Sequence, residues 1–475
     1  MTLAFSSSST DIIEQNIDTD SWCVEDVDLF YETKRCAQFI LEGNYEMIAL
    51  QFPDELLVNS VEVLEKLQNC TKQKLFVLGD TSYGSCCVDE IAAQRYNADC
   101  LIHFGRSCLS KTSRLPVLNI YGQHKIDVDN CFCEVNRLLP DTDIHVIILF
   151  DTIYRHCVGD LLHKLQKSYR SVILSAIQET SNVNGNIDTS ERNGVCRCHR
   201  MFHLIEETTL KDYSMFYVGR ESQTLSNLMM NFTENSFYSY DPVSQKGRHE
   251  EININKTLMK RFYMIERVKD ANIVGIVVGT LGVINYLEII SKIKKLLKSA
   301  GKKHYTFVVG KLNVAKLGNF MEVDVFVLVS CCENTLVDCK EFYKPIVTPY
   351  DLEIACNGNT QWTGQYTTDY TQLLPGSTSY VPVSPDKDNT VVDVSMVTNK
   401  LRTIGYIERD CVNAEHREIS ETVNKTITSQ AISAGQFLAE KSWRGLEPNL
   451  GETAVVRATD GLKGIAMEYS NEPNC

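Results

Sequence analysis

The chain has 475 residues, of which 43% are hydrophobic and 23% charged, and its formal net charge is −14 at pH 7. This length exceeds one ordinary hydrophobic core, so we expect about two to four domains. The composition is that of a soluble globular protein, and the acidic charge argues against a nucleic-acid binder.

No targeting or membrane segment is evident. Residues 1–20 lack the basic and apolar stretches of a secretory signal, so a cytoplasmic protein is expected. The longest uncharged apolar run, residues 273–286, is too short to span a bilayer, so we expect no membrane association. In a reducing compartment the 18 cysteines are expected to be buried small side chains or metal ligands rather than disulfides.

Short apolar segments alternate with amphipathic helical segments from residue 45 to about residue 350. This alternation is typical of parallel sheets with helices on both faces. Helices are predicted at residues 61–68 and 286–299, where apolar residues recur at spacings of three and four. The predicted strands form three sets: 47–52, 75–78 and 101–104; 145–150, 172–174 and 215–218; 273–278, 305–309 and 325–329.

The triplet of strand sets predicts an α/β protein of three related, small, Rossmann-like domains with parallel sheets, plus a C-terminal tail. Polar segments at 182–193 and 235–251 are interpreted as a loop and a connection. The tail carries Phe437, Leu438 and Trp443, which predict docking on the folded surface. The predicted boundaries are a flexible N-terminus 1–25, domains 26–143, 144–265 and 266–385, and the extension 386–475.

Cysteines recur at the expected functional edge of these domains. Cys86 and Cys87 follow the second predicted strand, Cys108 follows the third, and Cys331 follows the last strand of the third set. Ligands of parallel α/β domains gather beyond the carboxyl ends of the strands. These thiols are therefore candidate metal ligands.

The number of ligands bears on the kind of metal. Three thiolates without a nearby fourth ligand fit an iron–sulfur cluster with one open iron at least as well as closed zinc, which needs four. Adjacent residues of extended backbone point to opposite sides, so Cys86 and Cys87 are not expected to bind the same iron. The same reasoning makes Cys332 a neighbour of Cys331 rather than a ligand.

Three further motifs each have a structural explanation. The pair in residues 131–133 lies in a helical segment, where burial explains both cysteines. Cys196, Cys198 and His199 resemble half of a zinc site whose other half is missing. The glycines of residues 275–282 fit either a phosphate-binding turn or tight packing. The hypothesis of a nucleotide oxidoreductase has no support beyond these glycines and the α/β pattern.

Several motifs together resemble one family. The segments GDTSYGSCCVDE (79–90) and HFGRSCLS (103–110) are similar to the diphthamide synthases, the 2-(3-amino-3-carboxypropyl)histidine synthases. The resemblance extends from about residue 25 to about residue 470. The segments that resemble the second-subunit branch of this family are VGTLG (278–282), YTFVVGKLN (305–313), EFYKPIVTPY (341–350), WTG (362–364) and SWRGL (442–446).

The resemblance implies a heterodimer with a first, catalytic subunit. In this family the complex transfers a 3-amino-3-carboxypropyl group from S-adenosylmethionine to a histidine of translation elongation factor 2. A [4Fe-4S] cluster drives this radical chemistry without the usual C-x-x-x-C-x-x-C motif, which is absent here too. The resemblance also implies three related α/β domains.

One departure from the family's pattern bears on the role of this chain. Catalytic subunits carry one cluster cysteine in each domain, but the middle unit here lacks the corresponding Gly-Cys-Thr-type turn. This implies a subunit that is not catalytic alone. Its cluster would receive electrons from a small electron-donor protein and would keep the catalytic cluster reduced. The alternative is a non-catalytic scaffold. The ligands implied are Cys87, Cys108 and Cys331, with Cys86 as the alternative to Cys87.

Overall fold

The computed structural model describes residues 6–7, 26–79, 84–177, 194–205, 207–337, 341–377, 379–383, 392–398, 401–403, 464–465 and 468–469. The chain divides into two compact parts, Met1–Glu408 and Arg409–Cys475. In the second part the described residues form a two-stranded antiparallel hairpin of Gly464–Ile465 and Glu468–Tyr469. The predicted loop at 182–193 and the predicted docking residues of the tail lie outside the described residues.

The first sheet has four parallel strands. Its central strands Met47–Gln51 and Cys100–Phe104 are almost wholly buried, because helices cover both faces. Helices Thr33–Glu42 and Ser60–Thr71 pack on one face, and the short helix Glu90–Arg95 packs on the other. The strand order is Lys74–Leu78, Met47–Gln51, Cys100–Phe104 and Val117–Ile120.

The second sheet has five strands and corrects one expectation. The segment 235–251 is not merely a polar connection, because it contains strands Phe237–Asp241 and Lys246–His249. The polar composition of the whole segment 235–251 hid the strand Phe237–Asp241, which pairs with an apolar neighbour and buries Phe237, Ser239 and Tyr240. The strand order is Lys246–His249, Phe237–Asp241, Tyr213–Val218, His145–Phe150 and Ser171–Leu174, and only the first pair is antiparallel.

Helices and a small antiparallel sheet accompany the second sheet. The helices are Val128–Leu138, Val158–Leu165 and Gln223–Asn231. The small sheet is formed by Ala176–Ile177, Arg200–Phe202 and Val195–Arg197, in that order.

The third sheet has four parallel strands, and its hydrophobic core extends to the predicted metal ligands. One apolar cluster joins Val274, Ile276 and Val329 of this sheet to Cys87 and Cys331. The strand order is Lys303–Val308, Ile273–Val278, Val325–Val329 and Ile346–Val347. Its helices are Glu251–Asp270, Tyr286–Ser299, Val314–Gly318 and Pro349–Cys356.

The predicted α/β architecture with parallel sheets is confirmed. The boundaries after residues 143, 265 and 385 stay predictions, since the three sheets all lie within Met1–Glu408. The parts of the chain built on the first, second and third sheets are called the first, middle and third units. Within the described part of the chain no helix is long and apolar enough to cross a membrane.

The remaining described elements are short. They are helix Val27–Phe30, 3₁₀ segments Asp54–Asn59, Thr152–Tyr154, Leu210–Asp212, Cys332–Asn334 and Tyr370–Leu373, and strand pairs Ser6–Ser7 with Leu312–Asn313 and Val392–Val394 with Leu401–Thr403.

Candidate metal centre

Four buried cysteines come together at the carboxyl ends of the first and third sheets. Their sulfur atoms all lie within 4.8 Å of one another, and their side chains are 0–8% exposed. The Cys86 and Cys331 sulfurs are 3.8 Å apart, and those of Cys87 and Cys108 are 4.0 Å apart. The fold thus gathers the three predicted ligands Cys87, Cys108 and Cys331 in one place, and it adds Cys86.

The cysteine doublet lies in a turn and not in extended backbone. The Cys87 amide donates to the Gly84 carbonyl at 2.9 Å, and the Cys108 amide donates to the Cys86 carbonyl at 3.0 Å. The expectation that the two adjacent side chains point to opposite sides is therefore wrong, because alternation holds only for a strand. The expectation of three thiols without a nearby fourth is also wrong, because the turn brings the Cys86 sulfur into the group.

Two buried polar side chains of the first sheet hold the doublet loop. The Gln51 amide donates from Nε2 to the Cys87 carbonyl at 2.8 Å, and its Oε1 accepts from the Asp89 amide at 2.9 Å. His103 Nε2 lies 3.1 Å from the Ser85 carbonyl. Burial lowers the pKa of His103, so its ring is neutral and donates from Nε2. The position of the doublet is thus set by the sheet beneath it.

Replacing Gln51 with leucine is expected to destabilise the first unit. The substitution leaves the Cys87 carbonyl and the Asp89 amide buried without their partner, which costs about 1–3 kcal/mol. Denaturant unfolding of the full chain measures this loss. Gln38→Leu is the control, since Gln38 is exposed on a helix. Equal unfolding midpoints for the two variants would contradict the role given to Gln51.

The third unit approaches the doublet through two loops. Cys331 precedes the 3₁₀ segment Cys332–Asn334, and Asn334 Nδ2 donates to the Cys86 sulfur at 3.2 Å. The Cys332 sulfur donates instead to the Cys108 carbonyl at 3.6 Å, outside the group of four. A methyl group at Gly282 would lie 2.5 Å from the Val88 carbonyl, so tight packing against the doublet loop requires this glycine.

Among the described residues, the middle unit contributes to this junction the hydroxyl of Thr224 and no member of the group of four thiols. Thr224 donates to Glu333 Oε2 at 2.9 Å, and Arg106 lies 3.8 Å from the same oxygen and also hydrogen-bonds Thr224. Burial raises the pKa of Glu333, and Arg106 opposes this effect. Arg106 follows a strand of the first sheet, Thr224 lies in helix Gln223–Asn231, and Glu333 lies in the 3₁₀ segment Cys332–Asn334, so the three side chains connect the loops that carry Cys108 and Cys331.

The other cysteine motifs lie apart from the group of four. Cys131 is buried in a helix and Cys133 is exposed. Cys198 and His199 form the turn of a hairpin with φ of 53° and 57°, and His199 Nε2 lies 3.8 Å from Asp369 Oδ2. Among the described residues, no group of three or more potential metal ligands includes Cys196, Cys198 or His199.

The four thiols influence one another's ionisation. Hydrogen bonds from the other three, with Cys331 the largest contributor, hold the pKa of Cys108 well below its ordinary value. The hydrogen bond with Cys108 raises the pKa of both Cys87 and Cys331 well above theirs. The thiolate is the form that binds metal, and the lowered pKa of Cys108 favours that form at this position.

The donor set fits a thiophilic metal centre. All four cysteines are free thiols, and soft thiolates select zinc and iron–sulfur clusters. A tetrahedral zinc ion with Zn–S bonds of about 2.3 Å holds its sulfurs about 3.8 Å apart. An iron–sulfur cluster is bound by the same kind of ligand but is larger, so its thiolates lie farther apart. Both groups are therefore chemically compatible with these residues.

Comparison with known proteins identifies the family. The sequence profile of the diphthamide synthesis protein family matches residues 52–367. The chain belongs to the diphthamide synthesis family. The family predicted from the sequence motifs is thus confirmed.

Relatives in this diphthamide synthesis family match over nearly their whole length. The 2-(3-amino-3-carboxypropyl)histidine synthase subunit 2 of Danio rerio is 43% identical over 100% of this chain and 98% of that protein. The protein of the same name in Xenopus laevis is 41% identical over 98% of both chains. The one in Schizosaccharomyces pombe is 34% identical over 98% of this chain and 95% of that protein. The chain is therefore similar to subunit 2 of this synthase from vertebrates to yeast.

Solved structures support the fold. Dph2 from Pyrococcus horikoshii with a 4Fe-4S cluster has a TM-score of 0.55 and 17% identity, covering 75% of this chain and 95% of that chain. A second structure of Dph2 from Pyrococcus horikoshii has a TM-score of 0.53 and 16% identity, with the same coverage. At this identity the likeness shows the diphthamide-family fold.

Sequence reasoning missed the polar side chains that position the thiols. Gln51 interrupts an apolar run at the end of a buried strand, and this was a usable signal. Asn334 lies three residues after Cys331, but nothing in the sequence indicates that its amide contacts Cys86 from another unit. The assignment of individual ligands stays a prediction.

Proposed function

We propose that this chain is the iron–sulfur subunit of a cytoplasmic heterodimer that transfers a 3-amino-3-carboxypropyl group from S-adenosylmethionine to a histidine of elongation factor 2. Cys87, Cys108 and Cys331 would hold its [4Fe-4S] cluster, which would supply electrons to the cluster of the catalytic first subunit. The observation that carries the proposal is the buried group of four thiols. Relatives named as subunit 2 of a synthase support the existence of a partner subunit.

An electron-transfer role suits the surroundings of the thiols. When bound, the cluster would accept one electron from a small donor protein and release it to the catalytic subunit. The chain's own part is to exclude water, since the four cysteines are 0–8% exposed, and to donate a hydrogen bond from Asn334 to sulfur. Burial and hydrogen bonds to sulfur both set the reduction potential of such a cluster.

The middle unit supports a non-catalytic role. Within the described residues, the group of four thiols draws on the first and third units, and the middle unit contributes Thr224. The family's catalytic subunits are expected to have a cluster cysteine in each domain. We therefore infer that this subunit does not carry out the transfer alone.

A structural zinc ion, in a subunit that acts as a scaffold, is the second candidate. The sulfur separations of 3.8 and 4.0 Å favour it, because they match the edge of a tetrahedral zinc–thiolate site of about 3.8 Å. Metal and acid-labile sulfide analysis of the anaerobically purified full chain separates the two candidates. Iron with matching sulfide and blue-violet absorption supports the cluster, and stoichiometric zinc without sulfide refutes it.

The electron-transfer role predicts a reductant-dependent defect. In the heterodimer, Cys87→Ala, Cys108→Ala and Cys331→Ala together should abolish transfer to elongation factor 2 when the electron-donor protein is the reductant. Dithionite should still support transfer, because it can reduce the catalytic cluster directly. The measurement is incorporation of the labelled 3-amino-3-carboxypropyl group under each reductant.

The same assay tests the scaffold interpretation. A variant complex that retains full activity with the donor protein would refute electron transfer through this chain. Equal loss with both reductants in a complex of normal subunit ratio would also count against it, because the thiols would then be needed for more than the reduction of the catalytic cluster. Co-purification of the catalytic subunit in normal ratio verifies assembly in each case.

A further inference from the structure

We propose that Cys86 is a fourth protein ligand, which closes the cluster of this subunit so that no iron is open to a substrate. The inference rests on the iron–sulfur function proposed above and specifies its chemistry. A cluster with three protein ligands leaves one iron free to bind a small molecule, whereas four thiolates complete the coordination of all four irons. Such a cluster exchanges electrons but does not bind S-adenosylmethionine at iron.

The position of the Cys86 sulfur is that of a ligand. It lies 3.8 Å from the Cys331 sulfur, as close as any separation given for the other members of the group. Cys332 provides an internal comparison, since it is equally buried and equally adjacent to a ligand. Its sulfur turns to the Cys108 carbonyl at 3.6 Å and stays outside the group.

The environment of Cys86 suits a thiolate. Asn334 Nδ2 donates to its sulfur at 3.2 Å, and the two side chains are 5% and 8% exposed. A buried amide donor stabilises a negatively charged sulfur and orients it toward a metal. Asn334 ends the 3₁₀ segment that Cys331 precedes, so one short stretch of chain places the Cys331 ligand and also orients Cys86.

The backbone holds Cys86 in this position from the other side. Its carbonyl accepts from the Cys108 amide at 3.0 Å, which ties the doublet turn to the loop after the neighbouring strand. Cys86 and Cys87, which share the doublet turn, are thus joined through this hydrogen bond to the loop that carries Cys108. Rotation of Cys86 out of the group would break its contact with Asn334.

Space for a small molecule is found elsewhere in the same unit. A cavity of about 340 Å³ is lined by residues of the middle unit such as Arg197, Lys211 and Phe232, together with Gln365. None of the four cysteines lines it. The thiols instead form part of the hydrophobic core, in one cluster with side chains such as Val329 and Leu352.

Oxidation of the loaded full chain tests the number of ligands. Ferricyanide takes one electron from each [4Fe-4S]²⁺ cluster, and an iron without a protein ligand then leaves as Fe²⁺ to give [3Fe-4S]⁺. We expect Cys86→Ala to retain iron and to form the [3Fe-4S]⁺ EPR signal readily. The wild type and the control Cys332→Ala should resist this conversion. S-adenosylmethionine should leave the EPR spectrum of the reduced wild-type cluster unchanged.

Each other outcome has a defined meaning. Conversion of the wild type as readily as Cys86→Ala, or a change of its spectrum with S-adenosylmethionine, would overturn the inference. If Cys86→Ala loses all iron, Cys86→Ser decides, because serine keeps an oxygen ligand. Retained iron with an altered spectrum supports ligation, and a spectrum identical to the wild type refutes it. A wild-type chain that holds zinc or no iron would instead overturn the proposed function itself.

Discussion

Replacing Cys87, Cys108 and Cys331 together with alanine is expected to remove essentially all iron from this subunit. The three sulfurs lie within 4.8 Å of one another, and among the described residues only Cys86 joins them in that group. A single remaining thiolate cannot hold a four-iron cluster. Iron and sulfide analysis of the anaerobically purified complex, compared with the wild-type complex, measures the loss.

A matched variant separates loss of ligands from loss of packing. Cys36, Cys100 and Cys131 are each 0% exposed and lie outside the group of four. Their replacement by alanine in one triple variant removes the same atoms from equally buried sites. This control should keep its iron. Wild-type iron in the Cys87, Cys108 and Cys331 variant would refute the ligand assignment, as would equal loss in the control.

Replacing Arg261 with methionine is expected to lower the free energy of unfolding by about 3–5 kcal/mol, because it leaves a buried carboxylate without its ion pair. Arg261 bonds to Asp351, and the two side chains are 4% and 0% exposed. Asp351 also accepts from the Thr348 amide and the Tyr366 hydroxyl, both at 2.9 Å. The pair joins helix Glu251–Asp270 to helix Pro349–Cys356. Denaturant unfolding measures the change.

A surface ion pair supplies the control for this prediction. Arg35 and Glu32 are 2.8 Å apart, with side chains 34% and 25% exposed, so Arg35→Met should cost at most about 1 kcal/mol. Adding Asp351→Leu to Arg261→Met should recover part of the lost stability, since it removes the uncompensated charge. Similar losses for Arg261→Met and Arg35→Met would show that burial does not amplify the effect of breaking this pair.

Local sequence patterns predicted the strands where apolar residues run continuously. The strand His145–Phe150 and the helix Tyr286–Ser299 begin and end as predicted. Strands Phe237–Asp241 and Lys246–His249 were missed, because the segment 235–251 that contains them is polar overall and resembles a loop, although Phe237–Asp241 itself is mostly aromatic. They form strands because of pairing with distant segments, and a local window does not contain that information.

The sequence by itself determined the family and placed thiols at the strand ends where ligands gather. It could do so because both depend on short motifs such as the segment that contains Cys86 and Cys87. Only the tertiary structure brought Cys86 into the group with Cys331, 245 residues away, and aligned Asn334 with its sulfur. A turn replaces the extended backbone at the doublet, and the packing of the third unit against it decides which sulfurs meet.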